Sequence, residues 1–284
     1  GATLMGGNKD SRSWVGFDDP NIHRLPFPYP WTGEGLSGAD RARRDLAGLA
    51  QKGIDPDSDL CAVLLESYQG WAAVFYPEDY VQEIAAFAKR HGLLLAFDEI
   101  QSGFGRTGRL FAYQHYGVEP DLVLCGKGMS SSLPLSAVLG RAHLLDLPET
   151  GSMSSTHSAN PLACAAGLAN LESLSEENLV AEAARKGELL SAGLRALQLR
   201  HPNRIAHVLG RGLIAAVLLT EPESGAPDAA MATRAAEIAM RKGLLLVHTG
   251  RESIKIGPPL TIPDDALAEG IDVLGESLEE AIAR

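Results

Sequence analysis

The stretch Leu93-Leu-Leu-Ala-Phe97-Asp98-Glu-Ile-Gln101 decides how this chain folds. Its unbroken apolar run, closed by two carboxylates, suits a strand covered on both faces. Just upstream, Pro77-Glu-Asp-Tyr80 opens a helix with apolar positions at Val81, Ile84, Ala85 and Ala88, and His91-Gly92 closes it. Before that helix, Cys61-Ala-Val-Leu-Leu65 reads as another buried strand; downstream, Leu122-Val-Leu-Cys125 and Ser136-Ala-Val-Leu-Gly140 read as two more. Strands alternating with helices predict an α/β fold, a mainly parallel sheet flanked by helices.

Such sheets bind ligands beyond the carboxyl ends of their strands. Glu66, Asp98 and Lys127 stand one to three positions past three of the predicted strands, so they converge on one sheet edge. Lys127 sits between Gly126 and Gly128. A lysine at a buried sheet edge loses hydration, which lowers its pKa and makes the neutral amine a nucleophile toward a carbonyl. The plainer alternative is a solvated loop lysine. Asp98 needs a partner for its charge, which a cationic cofactor nitrogen, a buried ion pair or a cap would each supply.

Gln101 opens the Gly-rich turn 102–108, which lacks the helix and the lysine of a phosphate loop. Ser155 and Thr156 precede Asn160-Pro161, the start of a long helical tract that breaks near 175–178. Their hydroxyls can cap that helix or ligate a phosphate. His157 has no second ligand at helical spacing and reads as a hydrogen-bonded structural residue; no metal site is expected.

Composition narrows the function classes. The chain has 284 residues, and 25 Lys+Arg against 36 Asp+Glu give a net charge of -11, which leaves no basic footprint for nucleic acid. No apolar run approaches the ~20 residues that span a bilayer, and no leader is read at the start. Three cysteines, Cys61, Cys125 and Cys164, are odd in number and widely spaced in apolar contexts. They read as reduced, core-packing thiols of a cytoplasmic protein. Residues 1–60 are turn-rich, with the proline run Leu25-Pro-Phe-Pro-Tyr-Pro-Trp31 and a helix over 38–51. After His201-Pro202 a second α/β unit is expected, with strands over 211–219, 244–247 and 254–256 and helices over 228–242 and 264–284. A boundary near 200 divides a partial large domain, 1–200, from a small one, 201–284.

In chain order, Glu66-Ser-Tyr-Gln69-Gly70, Asp98-Glu-Ile-Gln-Ser-Gly-Phe-Gly-Arg-Thr-Gly108, Pro120-Asp-Leu-Val-Leu-Cys-Gly-Lys127-Gly and Ser155-Thr156 with Asn160-Pro161-Leu162 carry a likeness. Together they resemble the class III (ω-type) aminotransferases, pyridoxal-phosphate enzymes of fold type I. The likeness is most specific over about 60–170 and looser through Arg211-Gly212 and Ile254-Lys-Ile-Gly-Pro-Pro-Leu260.

The resemblance implies transfer of an amino group from an amine or amino-acid donor to a ketone or aldehyde acceptor. It implies that Lys127 joins the cofactor as an internal aldimine and shuttles the proton, and that Asp98 keeps the pyridine nitrogen protonated. It places Gln101 near the ring's O3′ and Glu66 behind the ring. Thr156, with Ser155 beside it, would reach the phosphate of a neighbouring subunit's cofactor, which implies a homodimer with sites at the interface.

Departures from the family pattern sharpen the expectation. The family's Gly-Ser/Thr phosphate turn and its aromatic-His pair are not found in these residues, so this chain alone should hold the cofactor weakly. Lys255 stands where the family usually places a carboxylate-binding arginine, and a lysine offers a point charge in place of a fork. Trp71 stands where many members carry a gating glutamate, and its ring offers at most a cation-π contact. Trp71 and Lys255 therefore predict a substrate pocket unlike that of the α-amino-acid and ornithine-like members, suited to a sugar amine, a polyamine or another bulky skeleton. The alternatives are an epimerase or mutase on the same fold and a non-catalytic dimerisation partner.

Overall fold

A computed structural model describes residues 2–32 and 35–283. Its strands are β1 (Ala62–Glu66), β2 (Tyr68–Gln69), β3 (Val74–Phe75), β4 (Leu94–Asp98), β5 (Leu122–Cys125), β6 (Ala137–Gly140), β7 (Ile205–Arg211), β8 (Ile214–Leu219), β9 (Val247–His248) and β10 (Ser253–Ile256). Its helices are α1 (Ala2–Met5), α2 (Lys9–Ser13), α3 (Gly38–Gln51), α4 (Pro56–Asp59), α5 (Glu78–Arg90), α6 (Ala142–Leu145), α7 (Pro161–Glu176), α8 (Leu179–Arg200), α9 (Ala229–Arg241) and α10 (Asp264–Ala283).

The first sheet has the order β1-β4-β5-β6. Its first three strands are parallel, with Glu66 opposite Asp98 and Asp98 opposite Leu124, and β6 runs antiparallel along the far edge. Two amphipathic helices cover one face. In α3 the Ser37 hydroxyl accepts from the Asp40 N–H, and α5 places Glu78 and Asp79 in its first turn and Lys89 and Arg90 in its last. Both patterns match the orphan groups and dipole of a helix. Leu46, Leu49, Val81, Ile84 and Phe87 of these helices pack on Leu65, Leu95 and Phe97. The opposite face is covered more thinly, by Phe104 and the α7 residue Leu174 against Val123 and Cys125.

Two expectations about burial need correction. The segment 61–65 is not fully buried: β1 has only β4 beside it among the described residues, and Ala62 and Leu64 are exposed. Of the cysteines only Cys125 is buried; Cys61 and Cys164 are exposed, because one precedes that edge strand and the other lies on the outer face of α7. Burial and the nearby Glu99 carboxylate push the Cys125 thiol up to about 11.

The second sheet, β7-β8-β10-β9, is antiparallel throughout. All of β8 is buried, and its alternating side chains serve two cores. Ala215, Val217 and Leu219 face Leu190, Leu194, Ile238 and Leu274 of α8, α9 and α10. Ile214, Ala216 and Leu218 face Tyr68, Ala73 and Val74 of the β2–β3 hairpin together with Phe27, Tyr29 and Trp31. The proline-rich aromatic segment thus packs on β8 and the β2–β3 hairpin, while its first residue Leu25 packs on the core of the first sheet.

The segment 211–219 is two pieces rather than one strand, because Gly212 turns the chain at φ +56 and β7 precedes it. A Cβ on Gly212 would lie 2.3 Å from the Thr107 carbonyl carbon, so only glycine lets this turn meet the 106–108 loop. There the Leu213 N–H donates to the Arg106 carbonyl at 3.0 Å. The segment 244–247 contributes only Val247 to a ladder, and Leu244 and Leu246 pack against the core instead. The last helix is continuous to Ala283, with the expected end at 284 outside the described residues.

Candidate active site

Glu66 and Asp98 are themselves the last residues of β1 and β4, rather than lying beyond them. Partners in a parallel register point to the same side of a sheet, so the two carboxylates stand next to each other. The Asp98 Oδ1 accepts from the Ile100 N–H at 2.9 Å, and Oδ2 has no partner among the described residues. The Glu66 Oε2 accepts from the Gly70 N–H at 3.2 Å. Burial and the neighbouring Asp98 charge push the Glu66 pKa above the ordinary carboxylate value, against the pull of the Gly70 N–H, Lys255 and Lys127.

Lys127 follows β5 by two residues and begins a single 3-10 turn, Lys127–Met129. Its backbone is left-handed, φ +39, an uncommon conformation for a residue with a Cβ. The expected dry lysine is not what the structure has: Lys127 is exposed, and its amine has no hydrogen-bond or ion-pair partner among the described residues. The flanking Gly126 and Gly128 supply no side chain to shield it. Its charge still registers at both Glu66 and Lys255.

Gln101 and Lys255 meet across 154 residues of sequence. The Lys255 Nζ donates to the Gln101 Oε1 at 2.7 Å and to the Gly70 carbonyl at 2.6 Å. Burial and the nearby Lys127 lower the Lys255 pKa. Gly70 is the floor on which these groups converge, since a Cβ there would lie 2.8 Å from Glu66 Oε1 and 3.4 Å from either end of the Gln101 amide. Trp71 is exposed over much of its ring, and its indole N–H donates to the Thr249 carbonyl. Glu66, Asp98, Gln101, Lys127 and Lys255 therefore form one cluster, with Trp71 beside it.

Ser155 and Thr156 do not join that cluster. Both are exposed in the loop before α7, and neither side chain makes a hydrogen bond among the described residues. They do not cap α7 either, because the Asn160 Oδ1 already accepts from the Leu162 N–H at 3.0 Å. The expected hydrogen bond of His157 is also missing among the described residues, and the residue is exposed.

Sequence reading overlooked two residues that set the geometry. Glu99 is fully buried; it accepts from the Ser67 hydroxyl at 2.5 Å, the Ser102 hydroxyl at 2.6 Å, the Ala112 N–H at 3.0 Å and the Tyr113 N–H at 2.7 Å. It therefore ties together the residue after Glu66, the turn after Gln101 and the 3-10 turn Ala112–Tyr116. A carboxylate following an apolar strand, with serines at 67 and 102, was the available signal. Arg106 donates to the Leu213 and Pro258 carbonyls, joining the Gly-rich turn to the second sheet.

Comparison with known proteins identifies the family. The family model for class III aminotransferases matches residues 4–278. The chain belongs to the class III aminotransferase family. It is 35% identical over 268 residues to the 4-aminobutyrate aminotransferase of Mycobacterium leprae, covering 91% of this chain and 59% of that protein. It is 34% identical over 270 residues to the ornithine aminotransferase of Emericella nidulans, covering 92% of this chain and 58% of the relative. Among solved structures, an S-selective transaminase from Arthrobacter sp. superposes with a TM-score of 0.83 at 30% identity, over 93% of this chain and 62% of that one. A thermostable omega transaminase mutant from Pseudomonas jessenii gives 0.87 at 27% identity, over 98% and 65%. This class III chain thus spans about three-fifths of the length of the curated relatives it matches.

Proposed function

We propose that this chain carries the catalytic edge of a pyridoxal-phosphate-dependent aminotransferase, moving an amino group from an amine or amino-acid donor to a ketone or aldehyde. The observation that carries the reading is Lys127: an exposed amine two residues past β5, unpaired among the described residues, at the sheet end where Asp98 closes the neighbouring β4. The donor set fits the ring side of the cofactor. Asp98 keeps one oxygen for a protonated ring nitrogen, and an anion there holds that proton. When bound, pyridoxal phosphate supplies the aldehyde carbon and a ring that takes up an electron pair.

Lys127 and Asp98 are then the catalytic residues. Lys127 is the nucleophile and afterwards the base that moves the proton to and from the donor carbon. Glu66 would support the ring when it is bound, and Gln101 would present its amide to the ring's oxygen. The exposed Ser155 and Thr156 hydroxyls suit a phosphate held by a neighbouring copy, so a homodimer completes the site; the cytoplasm is its compartment. No helix among the described residues is long and apolar enough to cross a membrane. Trp71 and Lys255 border the donor's entrance, and their departure from the family pattern supports a donor other than a simple α-amino acid. Lys127→Ala should abolish both turnover and the visible absorbance that develops with pyridoxal phosphate. Turnover retained in that variant would overturn the assignment.

A further inference from the structure

Arg106, Arg251 and Lys255 are each engaged within the protein. Arg106 holds the Leu213 and Pro258 carbonyls. Arg251 lies 4.2 Å over the Tyr29 ring, donates to its hydroxyl at 2.7 Å and pairs with Glu252 at 3.4 Å. Lys255 directs two of its three donors at Gln101 and Gly70. An ammonium group only donates, so the Gln101 atom it meets is the carbonyl oxygen, and the amide has one orientation. Oε1 is bound to the second sheet's lysine, which leaves the Nε2 donor for the other side.

We propose that Lys255 is a positioning residue that locks the Gln101 amide across the boundary between the two sheets, so that the site takes an amine donor with no carboxylate to be gripped there. An arginine fork would meet a carboxylate with two parallel bonds. Lys255 has one donor left, so it would have to abandon Gly70 or Gln101 to do as much, and its partly buried setting makes an unpaired carbonyl costly. Beside it the exposed Trp71 ring offers an apolar wall, which suits an uncharged carbon skeleton.

The inference rests on the pyridoxal-phosphate reading for its donor class but not for its latch. The latch is read in cofactor-free protein, from the Gln101 side-chain amide resonances of wild type and Lys255→Met. A shift or doubling of that pair is expected, and unchanged resonances would overturn the latch. The donor class is read with a matched pair, butylamine and 4-aminobutyrate, in the loaded protein. Wild type should show KM values within about threefold of each other, and Lys255→Met should lower kcat for both amines by the same factor, about tenfold. A KM for 4-aminobutyrate raised about tenfold or more, with butylamine unaffected, would make Lys255 a carboxylate anchor and sink the proposal. Amide shifts in a protein that uses neither amine would keep the latch and remove the transaminase reading. Should Lys255→Met fold poorly, Lys255→Gln breaks the same charge contact with less loss of polarity.

Discussion

The two sheets of this molecule are held by opposite means. The antiparallel sheet is a hydrophobic centrepiece, with every residue of β8 buried and one core on each face. The parallel sheet is barer: Leu64 on β1 and Val138 and Leu139 on β6 are exposed, and helices cover one face more fully than the other. What fixes its carboxyl edge is polar, the four-bond knot around Glu99. Apolar burial is non-directional, whereas hydrogen bonds constrain angle as well as distance. The directional fastening is found where Glu66, Asp98 and Gln101 must keep a fixed relation. The apolar one is found where a platform only has to stay in place.

The contrast breaks if Glu99 is dispensable. Glu99→Ala leaves two hydroxyls and two backbone N–H groups buried without an acceptor, at a cost of about 4 kcal/mol. Urea denaturation should show that loss, together with weaker pyridoxal phosphate binding. A loss under about 1 kcal/mol would mean the knot is ornamental. Next in size, Leu218→Ala on β8 removes a fully buried side chain and should cost about 3 kcal/mol. The matched deletion on the open sheet, Leu139→Ala, should stay within about 0.5 kcal/mol. Equal losses at 218 and 139 would show that the exposed face of β6 is covered in the protein as it is isolated.

The same contrast explains what the sequence made readable. The run 93–97 announced β4 because a strand buried on both faces leaves no polar positions, and the end-of-strand rule then brought Glu66, Asp98 and Lys127 together. Gln101 followed from its place in the Gly-rich turn. Nothing local announces that Lys255 reaches Gln101, since the contact depends on how β10 docks against the other sheet. Glu99 was hidden by its neighbour Asp98, because two adjacent carboxylates at a strand end look alike until the fold points one inward. Strand β7 was missed because His207 and Gly210 interrupt its apolar pattern. The exposure of Cys61 and Leu64 was equally illegible: an apolar run looks the same at a sheet's edge as at its centre.

A pH-dependent effect tests the carboxyl edge of the parallel sheet most directly. Glu66 has a raised pKa, so the folded state holds its proton to higher pH than the unfolded chain does. The sign follows from linkage: where the folded state binds more protons, stability falls as pH rises. Its contribution is complete below the ordinary carboxylate value near 4.5 and is lost as pH climbs through the raised one. The side chain keeps an exposed edge, so water screens part of the effect, which should stay below about 1 kcal/mol, or about 2–4 °C in Tm. Glu66→Gln cannot ionise and should match wild type at pH 4, then gain on it steadily toward pH 7 in cofactor-free protein. A Tm difference that stays flat across that range would mean the Asp98 charge and the burial around Glu66 do not act on it, and the two carboxylates would then be neighbours in register only.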